Sequence, residues 1–92
     1  MSMNTNLLLT ALKTDLGITT DAYNDRLTSR LAAAQARIAE EGVALSDTEA
    51  DRDLVVMYAA WLWRYRQTNE PMPRMLRWAL NNRVFSQKAA AT

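Results

Sequence analysis

Cysteine and histidine are both absent from this 92-residue chain. Without cysteine there is no disulfide framework and no thiolate metal site. Without histidine the chain lacks the usual general base near neutral pH and the commonest metal ligand. Catalysis would have to rest on carboxylates, hydroxyls, lysine or tyrosine. No glycine-rich phosphate loop, Gly-x-Ser-x-Gly elbow or metal-ligand spacing organises them. The chain is therefore expected not to be an enzyme, with neither cofactor nor metal. Long apolar runs are missing too: none approaches the roughly 20 residues that span a bilayer. The start, Met-Ser-Met-Asn-Thr-Asn, lacks the basic region of a signal peptide. No membrane contact is expected, and an intracellular, reducing location is.

Glycine and proline are scarce, two of each, while 49% of residues are hydrophobic. That balance favours packed helices over sheet or disorder. The length suits one domain with one core. The expected fold is all-α: a small four-helix domain over residues 1–92, ordered from about 5 to 86, with a frayed C-terminal tail.

The third helix is predicted as its centre. Between Asp51 and Gln67 lie two of the three tryptophans and two of the three tyrosines. At 100° per residue, Leu54, Met57, Tyr58, Trp61, Leu62 and Tyr65 share one wide face. Val56 and Trp63 fall opposite, separated from it mainly by Ala59, Ala60 and the arginines. A helix apolar on two faces is buried or meets a second surface. It should be the most buried helix, with Trp61 in the core.

Helices are expected near 5–16, 21–41, 47–68 and 73–86. Leu8, Leu9, Leu12 and Leu16 face one way in the first. Gly17 should end it in the left-handed conformation, with Ile18 folding back. Thr19, Thr20 and Asp21 offer caps for the second, whose stripe is Tyr23, Leu27, Leu31, Ala34 and Ile38, with Gly42 as its stop. Ala32, Ala36 and Ala39 on its far side would let another helix approach closely. Ser46-Asp47-Thr48-Glu49 matches a capping box for the third helix. Acids at 47, 49, 51 and 53 suit the positive end of its dipole and point around the axis rather than converging on a metal. Prolines at 71 and 73 break the chain before the last helix, with Pro73 able to open it. There Leu76, Leu80 and Val84 make one face, Met75, Trp78 and Phe85 another, and Arg74, Arg77 and Arg83 sit between.

Two kinds of site candidate emerge. Arg26, Arg30 and Arg37 line one edge of the second helix, as a DNA-facing phosphate ridge or as stems covering the core edge. Trp63, Trp78 and Phe85 exceed what one small core needs, and large apolar patches bordered by arginine mark protein contacts. The alternative is that a four-helix domain buries them all. Charge is split as well. Residues 1–53 carry five basic and nine acidic side chains, a balance of −4, and residues 54–92 six basic and one acidic, +5. Such asymmetry points to a nucleic-acid surface or to head-to-tail contact between copies, unless the charges mix once the helices pack.

Leu16-Gly17-Ile18 leads into the acid-rich turn Thr20-Asp21-Ala22-Tyr23-Asn24-Asp25. Then come Leu27-x₃-Leu31-x₂-Ala34-x₃-Ile38, an acid-started helix with Tyr58 and Arg64, and a proline-led last helix. Over residues 7–85 this order resembles the small helical head–tail connector (head-completion, adaptor) proteins of long-tailed bacteriophages and prophages. It departs from them in its three tryptophans, where smaller apolar residues are usual. In that family a ring of identical subunits docks beneath the portal after DNA packaging and offers a platform to the next tail component. The resemblance implies a homo-oligomeric ring, portal and tail-completion proteins as partners, a place in the virion neck, and synthesis in the bacterial host cytoplasm. Rings need heterologous contacts between unlike faces. Trp63, Trp78 and Phe85 with Arg74, Arg77 and the nearby Arg64 and Arg66 would form one face. The acidic half, with its acids at 21, 25, 40, 41, 47 and 49 (Asp21 and Asp25 among them), would form the other. DNA contact would be weak and non-specific. The competing reading is a small helical DNA-binding or regulatory protein, although no convincing helix-turn-helix is present.

Overall fold

The computed structural model describes residues 3–91, with side chains described for 3–65 and 69–89. Four helices follow one another: α1 (Thr5–Leu16), α2 (Asn24–Glu40), α3 (Glu49–Thr68) and α4 (Arg74–Ala91). Among the described residues there is no strand, so the domain is all-α.

Helix α1 starts where Asn4 Oδ1 accepts the Leu7 N–H at 3.2 Å. It ends as its sequence predicts, with Gly17 at φ 71°. The Ile18 N–H returns to the Lys13 carbonyl at 2.9 Å, and the Ile18 side chain rests on the core. This is the glycine-terminated helix end in which orphan carbonyls regain donors.

Helix α2 begins three residues later than the caps around Thr20 suggest. None of those side chains caps it; Tyr23 occupies the N-cap position without a side-chain bond. Thr20 Oγ1 instead accepts from the Ala22 N–H, and the Asp21 carboxylate takes Lys13. These local bonds hold residues 21–23 in a turn that competes with the helix. The stripe is as expected from Leu27 on, with Leu27, Leu31, Ala34 and Ile38 buried, whereas its first member, Tyr23, is 42% exposed. The far side carries no neighbour, since Ala32, Ala36 and Ala39 are all exposed. The close helix approach that these alanines allow is not taken up among the described residues.

At the start of α3 the cap lies two residues later than expected. Thr48, not Ser46, is the N-cap, its Oγ1 accepting the Asp51 N–H at 3.3 Å. Ser46 gives its N–H and O–H to Asp51 Oδ2 instead. Helix α4 runs past residue 86 to Ala91. The predicted frayed tail is helical because Gln87 clamps the α2–α3 loop, accepting from the Ala44 N–H and donating to the Gly42 carbonyl.

The core is the meeting of α1, α2 and α3, all in mutual contact, while α4 lies against α3. Helix α3 supplies Leu54, Val55, Val56, Tyr58, Ala59, Ala60 and Leu62, all buried. It is the central helix, but its buried arc is rotated from the predicted one. Met57 and Tyr65 are 36% and 43% exposed, whereas Ala59 and Ala60 are buried. The reason is tight packing on two sides, where alanine lets α1 and α2 approach and the long side chains turn outward. Trp61 is half-buried rather than central. Its indole N–H donates to the Glu70 carbonyl at 3.2 Å, and its ring meets Tyr58 and Tyr65 at 5.6 and 5.4 Å. With α4 laid along one flank, the molecule measures 45 × 29 × 18 Å.

Candidate subunit interface

Helix α4 divides into three sectors when its residues are placed 100° apart. Ala79, Arg83, Leu76, Gln87, Leu80 and Val84 form the arc towards the body; Leu76 and Leu80 are 2% and 0% exposed. Met75, Trp78 and Phe85 form a second arc, with exposures of 77%, 68% and 74%. Arg74, Arg77 and Lys88 lie beside it on the outer surface, and all three are exposed. The helix contains no acidic residue. An apolar stripe with a cationic border is thus presented away from the core.

Trp63 does not belong to this surface. It is half-buried against the core, and Tyr23 covers it edge-on with ring centres 5.8 Å apart at 69°. The predicted interface therefore loses one of its three aromatic residues to packing within the chain. Tyr23, at the N-terminus of α2, supplies the cover that the α3 pattern alone does not reveal. Arg66 lies outside the described side chains.

The charges predicted to pair between copies are partly engaged inside one. Lys13 Nζ lies 2.8 Å from Asp21 Oδ1 and 3.0 Å from Asn24 Oδ1. The Lys13 hydrogen bond, then its charge, lowers the Asp21 carboxyl below its usual value. Arg77 reaches Glu41 at 3.6 Å, an exposed pair of small worth. Asp25, in the first turn of α2, and Arg74, at the start of α4, are exposed. Lys13 and Asp21 both belong to the acidic half, so Arg77–Glu41 is one of two ion pairs among the described residues that join the halves, and only part of the asymmetry faces outward.

The second of those pairs is one that the sequence reading missed. Asp51 is 2% exposed, and Arg83 grips it with Nε at 2.8 Å and Nη2 at 3.2 Å. The same guanidinium donates to the Ala44 carbonyl at 2.9 Å. Burial alone would raise the Asp51 carboxyl, but hydrogen bonds from Arg83 and Ser46 hold it below its ordinary value. Asp51 in turn raises Arg83. A signal was available: Arg83 sits at the middle of the core-facing arc of α4. A charge placed there demands a partner.

Of the acids at 47, 49, 51 and 53, Asp47 pairs with Arg52 at 2.8 Å and Asp51 with Arg83, while Glu49 and Asp53 are exposed. No three carboxylates among the described residues are grouped to hold a metal. The arginine line of α2 is present as a line, with Arg26 and Arg37 exposed and Arg30 half-buried. The Arg30 Nε is covered and has no hydrogen-bond partner, so its stem lies along the body as a covering side chain does. No helix among the described residues is long and apolar enough to cross a membrane.

Opposite α2, a furrow follows the exposed edge of α3 between α1 and α4. Three hollows adjoin there and all touch Met57. The first, of about 550 Å³, is walled by Ala11, Thr14 and Asp15 of α1 and by Asp53 and Val56 of α3. The second, of about 320 Å³, lies under Trp78 and Asn82 of α4. The third, of about 230 Å³, reaches from Asp15 to Met75. Comparison with protein-family models, with curated proteins and with solved structures finds no match to this chain.

Proposed function

We propose that this chain is the subunit of a self-assembling connector: a ring beneath a phage or prophage portal that links it to the tail. The observation that carries the reading is the α4 stripe, where Met75, Trp78 and Phe85 are each more than two-thirds exposed on one face. A small domain that folds around an adequate core has no reason of its own to hold three large apolar side chains in water. Grouped on one helix face, they suit burial against a protein. The resemblance of residues 7–85 to head–tail connectors supplies the kind of assembly, and the virion neck as its place. In this reading the protein is a structural part, not a catalyst. Arg26 and Arg37 would at most give the ring wall non-specific attraction to passing DNA.

Sedimentation of the purified chain across concentration tests this reading, with and without a portal ring. Concentration-dependent assembly into a closed species, lost in Trp78→Asp, is the expected result. A chain that stays monomeric in both conditions refutes it. Tight binding to one duplex sequence with a large ratio over random DNA would replace it with a regulator.

A further inference from the structure

The furrow between α1 and α4 has the form of an unfinished bundle: two helix walls with α3 as its floor. We infer that it receives the α4 stripe of a second copy of this chain. The inference rests on the self-assembly proposed above and adds which surface accepts the stripe.

Dimensions agree first. Along α4, Met75 and Phe85 are ten residues apart, about 15 Å of helix. The furrow edge of α3 runs from Asp53 past Met57 to Arg64, eleven residues and about 16 Å. Chemistry agrees next. The floor offers Val56, Met57 and Ala60, with Ala11 on the α1 wall. Methionine at the junction of all three hollows is an adaptable surface for aromatic rings.

Charge then selects the occupant. Asp15 and Asp53 both line the largest hollow and are exposed, Arg64 joins Asp15 only in the third hollow, and neither acid is in an ion pair among the described residues. Helix α4 has four cations and no acid. Arg83 is consumed by Asp51 and Arg77 leans to Glu41, leaving Arg74 and Lys88 outward beside the stripe. An incoming helix with apolar residues and a cationic border suits this furrow, and α4 is such a helix. Met75 and Trp78 also line the α4 wall of the furrow, so a neighbour's stripe would pack against this chain's own Met75 and Trp78 as well as on the α3 floor, while Phe85 lies outside the three hollows.

The test uses two variants of the full chain, each checked for unchanged helicity. Asp15→Lys with Asp53→Lys spoils the furrow, and Phe85→Asp spoils the stripe at a residue outside the three hollows. All three sites are exposed, so both variants fold. Each alone should associate at least tenfold more weakly than the unmodified chain in sedimentation velocity. Mixed, they should form a one-to-one pair, because one contributes an intact stripe and the other an intact furrow. Normal association of the furrow variant, or no pairing in the mixture, overturns the furrow as acceptor and leaves self-assembly through α4 standing. An unmodified chain that stays monomeric to about 1 mM overturns the furrow and weakens the assembly reading with it.

Discussion

Helices α2 and α4 are nearly equal in length, 17 and 18 residues, and both carry arginines along an apolar pattern. Their fates differ. Every stripe residue of α2 from Leu27 to Ile38 goes into the core, because α1 and α3 close over it from two sides. Helix α4 has α3 to lie on, and buries only Leu76 and Leu80 fully while Met75, Trp78 and Phe85 stay in water. One helix has every large apolar side chain of its stripe from Leu27 to Ile38 absorbed by the fold, with only alanines outside; the other is divided between the fold and the outside. The lesson is that an apolar face tells how much surface seeks cover, and the number of neighbours tells whether the chain provides it.

The largest expected effect breaks the α2 side of that comparison. Leu31 and Leu80 are both essentially inaccessible, so burial alone would rank them equal. Leu31→Ala should cost about 3–5 kcal/mol, and Leu80→Ala about 2–3 kcal/mol because a site with one neighbouring helix can collapse more fully. Urea melts decide this, and equal losses would mean that α4 is as firmly built in as α2.

A second experiment sharpens the comparison by loosening α4 alone. Arg83→Ala leaves Asp51 buried without its cation, and should cost about 3 kcal/mol. Amide exchange should quicken along α4 and the 42–48 loop before it quickens in α1 and α2. The pH dependence follows the same pair. The Asp51 carboxyl is lowered by folding, so its contribution is complete above its unfolded value near 3.8 and is lost as pH falls through the lower folded value. Asp51→Asn should therefore flatten the acid limb of the stability curve below about pH 4. An unaltered acid limb would show that the pair is not what fastens α4.

The smallest effect on stability is expected at the exposed stripe. Trp78→Ser and Phe85→Ser should each change the unfolding free energy by no more than about 0.5 kcal/mol, as exposed positions do. A loss of 2 kcal/mol or more, on the scale of a core truncation, would place those rings within the chain's own packing.

Most of the helical frame was legible because its signals are local. Gly17 and Gly42 stop helices through backbone geometry, Pro71 and Pro73 interrupt the chain, and the three- and four-residue spacing of Leu27, Leu31, Ala34 and Ile38 needs no knowledge of a partner. The errors lie where two local options compete or where a distant group decides. Ser46 and Thr48 can both cap α3, and Asp51 settles the matter by taking Ser46 into its network. Trp63 looks unclaimed on α3 because its cover, Tyr23, is 40 residues earlier in the chain. The exposed half of α4 was legible in its second apolar face, whereas the Arg83–Asp51 pair spans 32 positions, so the place of Arg83 on the core-facing arc calls for a partner without naming it.

The short joint before α4 has a mechanical consequence. Pro71 and Pro73 restrict its backbone on both sides of Met72, and the Trp61 indole ties the Glu70 carbonyl to α3. Asn69, left-handed at φ 56°, sets the angle at which the chain leaves α3. At the other end, Arg83 and Gln87 fasten α4 to the 42–44 loop. The apolar stripe is thus carried on a braced strut rather than a tether. A surface held in its docking geometry beforehand surrenders little conformational entropy on contact, so in the proposed assembly a modest stripe would hold a neighbour that the same residues on a loose tail would release.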